Sequence, residues 1–340
     1  MSQKNIILSH FDKKDIVVIA PLYWGLGHAA RCIPLISMLK EHCEKVIIAS
    51  DGDALNFLSS HFPEVQTIEL PGYGIQYRYN SIMWNVAVAG KKIVDAIREE
   101  RKIMQQLVKQ SRATVILSDN RLGCRADAAK NIFLTHQLTI QHNNSLAKWI
   151  ANLLHGYFIK KFDVCMVPDL QGKNSLCPAL SHSSLYNPVY IGPLTRIKYQ
   201  PLSKAWDICV LLSGPEPQRS ILEDLLFQQL LLLTMYKIVF VRGVQNPNHS
   251  LKTTKHITSK NWINAQEVET ILNSSSLLIS RSGYSTVMDV HHLPIKAIFI
   301  PTPGQSEQEY LADTLQLQQK YSCLYQNDLK KLANTIHLLI

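Results

Sequence analysis

The run Ser280-Arg281-Ser282-Gly283-Tyr284-Ser285-Thr286-Val287-Met288-Asp289 concentrates residue types suited to holding a phosphorylated ligand. The apolar Leu277-Leu278-Ile279 leads in, Ser282 and Gly283 break it, and Val287, Val290 and His291 resume at helical spacing. The segment therefore reads as strand, tight turn and helix start. The first N–H groups of a helix have no intrahelical partner and sit at the positive end of its dipole, so such a start can cradle a phosphate. Gly283 lets an anion approach the backbone, Ser282, Ser285 and Thr286 offer hydroxyls, and Asp289, one turn on, is placed to accept hydrogen bonds from a ribose diol. A Ser/Gly turn before a helix is also an ordinary cap, so the segments downstream of it carry weight. Here a buried-type strand at 295–300 runs into Pro301-Thr302-Pro303-Gly304-Gln305-Ser306-Glu307-Gln308-Glu309.

A second cluster lies near the N-terminus, where Gly25-Leu26-Gly27-His28 separates an apolar β-branched run at 15–20 from an amphipathic stretch at 32–42. A bare G-x-G is a common βα turn. His28 adds a group with an ordinary pKa of about 6.5, suited to taking a proton at neutral pH. Asp119 and Arg121 follow a strand at 114–118, and His136 follows one at 132–135; loop caps and core partners are the plain alternative for them. Ser213-Gly214 opens a comparable turn after a strand at 207–212, with Glu216 between two prolines. His291 and His292 are adjacent, do not share a helix face and read as a solvated helix end, so no metal site is expected.

The order Arg-Ser-Gly turn, acid six residues after the glycine, strand, then proline and a Gln/Glu-rich helix start resembles the donor half of GT-B glycosyltransferases. Within them it resembles glycosyltransferase family 28, which includes the bacterial N-acetylglucosaminyltransferase of the lipid-linked peptidoglycan precursor. The resemblance implies that Ser282, Gly283, Tyr284, Ser285 and Thr286 hold the nucleotide diphosphate, Asp289 the ribose, and Gln308 and Glu309 the donor sugar; Gln305, in the same loop, is a further donor-side candidate. The family usually has two glutamines where this chain has Gln308-Glu309. Gly25, Gly27 and His28 resemble its glycine-rich first loop, with Tyr23-Trp24 in place of small residues, and Ser213-Gly214 its second phosphate-facing turn. The expected donor is a UDP-sugar and the acceptor a lipid-carrier or glycan hydroxyl; His28 is the candidate base, and the helix start at Gly283 with nearby Arg281 can stabilise the departing diphosphate, so no cofactor or metal is expected. Arg281 reads either as a charge stabiliser for the leaving diphosphate or as a loop residue. Asp119, Arg121 and His136 are candidates on the acceptor side.

These residues all follow strands, and the pattern strand, glycine turn, helix, strand is that of right-handed βαβ units. Strands at 45–50, 65–70 and 164–167, with helices around 85–110 and 146–162, complete a first set; residues 170–188 carry no period and read as loop. The pattern restarts at 207 with helices at 221–233 and 266–273, strands at 237–241, 256–258 and 277–279, and a terminal helix from 328. The expected fold is α/β, two doubly wound Rossmann-like domains facing a cleft (GT-B), with residues 1–192 on the acceptor side, a linker at 193–205 and a donor domain at 206–340. Ligands of such sheets bind beyond the carboxyl ends of the strands, which is where each of these clusters falls.

Composition agrees with a globular chain: 340 residues, 46% hydrophobic and 18% charged, too long for one growing core. Seven scattered cysteines with no C-x-x-C pair read as reduced core thiols. No apolar run reaches the ~18–20 residues of a membrane span, and no signal-type core follows Met1, so the expected location is the cytoplasm, at the inner face of the membrane. The net charge of +9 asks for an acidic partner, and residues 1–165 hold most of the excess, with 20 Lys and Arg against 14 Asp and Glu. Interspersed acids and the lack of a nucleic-acid motif argue against nucleic acid. Nucleotide phosphates, a phosphorylated carrier and anionic lipid account for the charge. Residues 73–92 mix Tyr73, Tyr77, Tyr79, Ile82, Met83 and Trp84 with Arg78, Lys91 and Lys92, a composition of interfacial segments as well as of packed cores. Two other classes fit the same residues: a GT-B sugar epimerase, and a noncatalytic nucleotide-sugar-binding or assembly subunit.

Overall fold

The computed structural model describes residues 2–23, 26–73, 90–141, 144–183, 186–244 and 253–340. The chain divides into two compact units, Met1–Thr195 and Arg196–Ile340. Each is a parallel sheet with helices in the crossovers.

In the first unit, helix α1 (Gln3–Leu8) precedes β1 (Ile16–Pro21), α2 (Gly27–His42), β2 (Lys45–Ser50), α3 (Gly52–His61), β3 (Gln66–Glu69), α4 (Gly90–Ser111), β4 (Val115–Asp119), β5 (Lys130–Leu134), α5 (Ser145–Ile159), β6 (Val164–Val167) and β7 (Val189–Tyr190). The strands pair in the order β3-β2-β1-β4-β5-β6-β7. Continuous apolar runs such as Val17, Val18, Ile19 and Ala20 are fully buried because a parallel sheet is covered on both faces. The order reverses between β1 and β4, where Pro21 stands opposite Asp119 in register. Such a reversal leaves a crevice beyond the strand ends, because the two flanking crossovers depart to opposite faces.

The second unit repeats the plan with β8 (Trp206–Leu211), α6 (Gln218–Leu230), β9 (Ile238–Val241), β10 (Ile257–Lys260), α7 (Ala265–Asn273), β11 (Ser275–Ser280), α8 (Tyr284–Val290), β12 (Lys296–Phe299), α9 (Ser306–Leu317), β13 (Ser322–Cys323) and α10 (Leu332–Leu339). Its order is β10-β9-β8-β11-β12-β13, and the reversal falls between β8 and β11, with Leu211 opposite Ser280. Residues 198–205 are pinned to this unit. The Lys198 amide donates to Glu269 at 2.6 Å, the Gln200 amide donates to Asn273 at 2.9 Å, and Lys204 Nζ donates to the Ser275 carbonyl at 2.6 Å. The terminal segment starts as a 3-10 turn at Gln326–Lys331, and Leu329, Leu332 and Ile336 enter the core beside Ile208 and Leu226.

Helix α3, directly after the strand expected at 45–50, is an addition to the sequence reading. Gly52 makes it possible by adopting φ +52°, close against the Tyr23 ring, where a Cβ would lie 2.6 Å from the ring carbon. Residues 170–188, expected as loop, contain short helical turns at Gly172–Asn174 and Pro178–Ser181. The buried Asp169 carboxylate organises them by accepting from Ser175 at 2.6 Å, Ser181 at 2.7 Å and the Leu176 amide at 2.8 Å. All seven cysteines are free thiols.

Candidate active site

Helix α2 starts at Gly27, so His28 occupies its first turn and Arg31 the next position on the same face. Both side chains turn onto Asp119 at the end of β4. His28 Nδ1 lies 3.0 Å from Asp119 Oδ1, Arg31 Nε donates to Asp119 Oδ2 at 2.8 Å, and Arg31 Nη2 pairs with Oδ1. Arg31 Nη1 lies 3.0 Å from His136 Nδ1, so the fourth residue is drawn in from the end of β5. Cys32 Sγ adds a weak donor to Asp119 Oδ2 at 3.5 Å.

This cluster is inside the protein. Asp119 is fully buried and Arg31 only 3% exposed, while the His28 side chain keeps 15% of its surface. Burial would raise Asp119, but the Arg31 guanidinium and His28 overrule it and hold the carboxyl well below its usual range. Burial likewise lowers His28; Asp119 pulls it up and Arg31 pushes it down. The imidazole is therefore neutral at pH 7. Its Nδ1 faces both the Asp119 carboxylate and Arg31 Nη2, the latter at 2.8 Å. Because an ionised carboxylate is the stronger partner, the proton sits on Nδ1 and is donated to Asp119. Nε2 is then the basic nitrogen, and among the described residues no hydrogen bond engages it.

Arg121, just beyond the end of β4, goes elsewhere. It is fully buried, donates to the Pro21 carbonyl at 3.0 Å and to Glu100 Oε1 at 2.7 Å, and pairs with Asp51. Tyr73 and the Gly123 amide donate to Glu100 Oε2 at 3.1 and 3.0 Å. Arg121 thus ties the ends of β1, β2 and α4 beneath the crevice. Gly25 lies outside the described residues, as does most of the aromatic segment 73–92; Gly27 is the first residue of α2.

In the second unit the turn after β11 and the loop after β12 fold onto one another. Ser282 Oγ donates to the Gln308 carbonyl at 2.8 Å, Gln308 Oε1 accepts from the Thr302 amide at 2.9 Å, and Gln308 Nε2 donates to Gln305 at 2.5 Å. Glu309 Oε1 accepts from the Gly304 amide at 2.9 Å. Gly283 caps α8, and the space where its Cβ would stand is open to 4 Å. Ser285, Thr286 and Asp289 are half-buried in α8, and Tyr284 is buried.

Arg281 is 3% exposed and is spent on Pro301 O at 2.9 Å, Gln218 O at 2.8 Å and Gln326 Oε1 at 3.0 Å. Burial pulls its guanidinium down to about 10, which leaves it charged at neutral pH. Its contacts are those of a clamp on strand ends. Across the reversal, Ser213 and Gly214 are exposed, and Gly214 has φ +110°. Glu216 of that turn accepts from Arg219 Nε at 2.6 Å, and Glu223 takes both Arg219 at 2.5 Å and Arg242 at 2.6 Å. The two Glu223 pairs are buried and stiffen the base of the turn, while Glu216 itself is exposed.

Sequence reading missed Arg31 as a partner of His28. The signal was present as a cation three positions on from His28 at a helix start, and it becomes legible only once the helix is known to begin at Gly27. Glu100 and Asp51 carried no local signal, since their common partner, Arg121, comes from a different strand.

Two doubly wound parallel sheets with these connections make the fold of GT-B glycosyltransferases. The chain superimposes on the glycotransferase of kitacinnamycin with a TM-score of 0.63, over 92% of this chain and 86% of that one, at 10% identity. For MurG of Acinetobacter baumannii the TM-score is 0.54 over 96% and 92% at 14% identity. For the spinosyn rhamnosyltransferase SpnG complexed with thymidine diphosphate it is 0.59 over 91% and 86% at 14% identity. Residues 221–340 match the glycosyltransferase family 28 C-terminal domain. The second unit therefore carries that domain, and the protein is a glycosyltransferase of the GT-B type. No curated protein matches the chain.

Proposed function

We propose that the protein transfers a sugar from a UDP-sugar to a hydroxyl of a lipid-linked or glycan acceptor, with His28 as the base and no metal. The observation that carries this reading is the buried Asp119 carboxylate against His28 Nδ1, at the strand reversal of the first sheet. An ionised carboxylate fixes the tautomer that leaves Nε2 basic, and burial keeps the ring unprotonated, which are the two requirements of a general base near neutral pH.

In the step proposed, the acceptor O–H gives its proton to Nε2 as its oxygen bonds to the anomeric carbon of the donor. The bond from that carbon to the diphosphate oxygen breaks, and the electron pair leaves with the diphosphate. Negative charge grows on the leaving group, and the open helix start at Gly283, with the hydroxyls of Ser285 and Thr286, is assigned to receive it. Gln305 and Gln308, at the loop that folds back on Ser282, are assigned to the sugar, with Glu309 beside them; Asp289 is assigned to the ribose. Ser213 and Gly214 are assigned to the phosphates. His136, reached through Arg31, supports the base from behind. The family 28 domain supports the donor class, and the solved complex of SpnG with thymidine diphosphate makes dTDP the control nucleotide. The reading places the protein at the cytoplasmic face of a membrane; no helix among the described residues is long and apolar enough to cross one.

The test is His28→Asn. Turnover should fall by roughly 10²- to 10⁴-fold, the range for a positioned base, with UDP affinity and fold kept. Full single-turnover activity in that variant would remove the assignment.

A further inference from the structure

Helix α5 is turned inside out. Its inward positions include Asn152 and His155. Asn152 accepts from the Ile140 amide at 2.8 Å and donates to the Ile140 carbonyl at 2.9 Å, while His155 Nε2 bonds the Gln137 carbonyl at 2.8 Å. Gly156 fits against the Tyr186 hydroxyl, and only Ile159 reaches the apolar cluster around Phe133. The outward face holds Leu146, Trp149, Ile150, Leu153, Leu154 and Tyr157, each between 44% and 66% exposed. These lie three, four, seven, eight and eleven residues from Leu146, which is one side of a helix. An ordinary surface helix buries such a stripe and exposes its amides.

The charges carried by the helix and its ends have one sign. Lys148, Lys160 and Lys161 lie on or beside the helix, and the chain holds no Asp or Glu between Asp127 and Asp163. The neighbouring Asp163 is turned to the Asn131 amide at 2.7 Å, and Lys161 Nζ sits 3.8 Å over the Tyr157 ring. Exposed Trp and Tyr among leucines, rimmed by lysine and free of acids, is the composition of a helix that lies in the plane of a bilayer interface. An apolar face rimmed by lysine is complementary to an anionic lipid surface, which asks only for the groups present.

We propose that α5 is an interfacial helix that seats the first unit on a membrane bearing anionic lipid. The proposal gives the lipid-linked reading of the acceptor a physical location but does not depend on it, because the measurement needs neither donor nor acceptor.

The experiment is vesicle flotation of the full chain on phosphatidylcholine, with and without phosphatidylglycerol, for the wild type, a Trp149→Ser/Leu153→Ser double variant and a Lys160→Gln/Lys161→Gln double variant. The expected results are wild-type binding that is stronger on anionic vesicles, a loss of about tenfold or more in the apolar variant on both, and a comparable loss confined to anionic vesicles in the lysine variant. All altered positions are on the surface, so the thermal midpoint should hold, and it is measured alongside. Absence of wild-type binding, or equal binding by the apolar variant, overturns the proposal. So does a concentration-dependent dimer in sedimentation that the apolar variant dissolves while vesicles are ignored; the face would then be covered by a second copy. A wild type that floats but transfers no sugar would break the proposed function and leave this inference standing.

Discussion

His28 Nδ1 and Asp119 Oδ1 meet at 3.0 Å across 91 residues of sequence because β1 and β4 are neighbours at the reversal of the first sheet. The pairing of Pro21 with Asp119 brings the end of one strand to the loop that follows the other. A helix beginning at Gly27 then turns His28 and Arg31 onto the same carboxylate. The contact is a property of topology, and its chemistry comes from burial, which makes the carboxylate a strong acceptor and the imidazole a neutral base.

Asp119→Asn should separate geometry from charge. The amide can donate to Nδ1, which moves the ring proton to Nε2 and removes the basic lone pair, so turnover should fall by about 10³- to 10⁴-fold with little change in nucleotide affinity. The substitution also leaves Arg31 buried beside a neutral group, at a cost of about 3–5 kcal/mol. Single-turnover assays and urea unfolding read the two effects. Wild-type turnover with reduced stability would mean that the carboxylate serves only to bury Arg31.

Arg31→Met should raise the pKa of His28. Burial and the guanidinium both lower it, while Asp119 raises it, so removing the cation leaves the carboxylate less opposed. The wild-type ring, with its pKa below 6.5, should stay neutral down to mildly acidic pH. Since the unfolded chain takes up that proton first, acidification through about 6.5 should cost stability in the wild type and cost less in the variant. Ring resonances of His28 followed by NMR across pH check the shift without an activity assay. An unchanged or lower titration point would show that Arg31 acts only through packing.

Much of this was legible in the sequence, for definite reasons. Continuous apolar runs such as 15–20 and 277–279 mark strands buried on both faces, and glycine turns mark their ends, so the two-sheet architecture emerges from pattern alone. Boundaries were harder to read. Helix α2 begins five residues before the amphipathic stretch at 32–42, because Gly27 and His28 have no apolar period, and this hid the partnership of His28 with Arg31. Arg121 and Asp119 are two positions apart, where a continuous strand would put both on one face, but β4 ends at Asp119 and Asn120 turns the chain with φ +60°, so the two side chains meet different neighbours. The inverted face of α5 was hidden for a different reason. Its period is that of any amphipathic helix, and periodicity does not say which side faces the core.

Arg121→Met should lower stability without touching the base. Glu100 and Asp51 would lose their cation, and Glu100 is fully buried, so a loss of about 3–5 kcal/mol is expected. The pH dependence of turnover should remain that of the wild type, because neither carboxylate contacts His28. A changed acidic limb with an unchanged urea midpoint would place Arg121 in the acceptor site instead.

Asp289→Ala and Arg281→Met together test the donor site, because the two residues are assigned opposite kinds of work. Asp289 is half-buried in the last turn of α8, six residues beyond the open start at Gly283, where a ribose would lie if the diphosphate sits at that start. Loss of a charged hydrogen bond is worth roughly 1.5–3 kcal/mol, so UDP should bind about 10- to 100-fold more weakly with the fold intact. Arg281 should behave in the reverse way. Its guanidinium is committed to Pro301, Gln218 and Gln326, so Arg281→Met should take the donor from one buried and two part-buried acceptors, lower the unfolding free energy by about 1–3 kcal/mol and change UDP affinity little at temperatures where the variant is folded. Calorimetric titration with UDP, and with dTDP as the control, read beside thermal unfolding, gives both answers at once. If Asp289→Ala binds UDP like the wild type, the ribose lies elsewhere. If Arg281→Met is stable but binds poorly, its cation reaches the diphosphate.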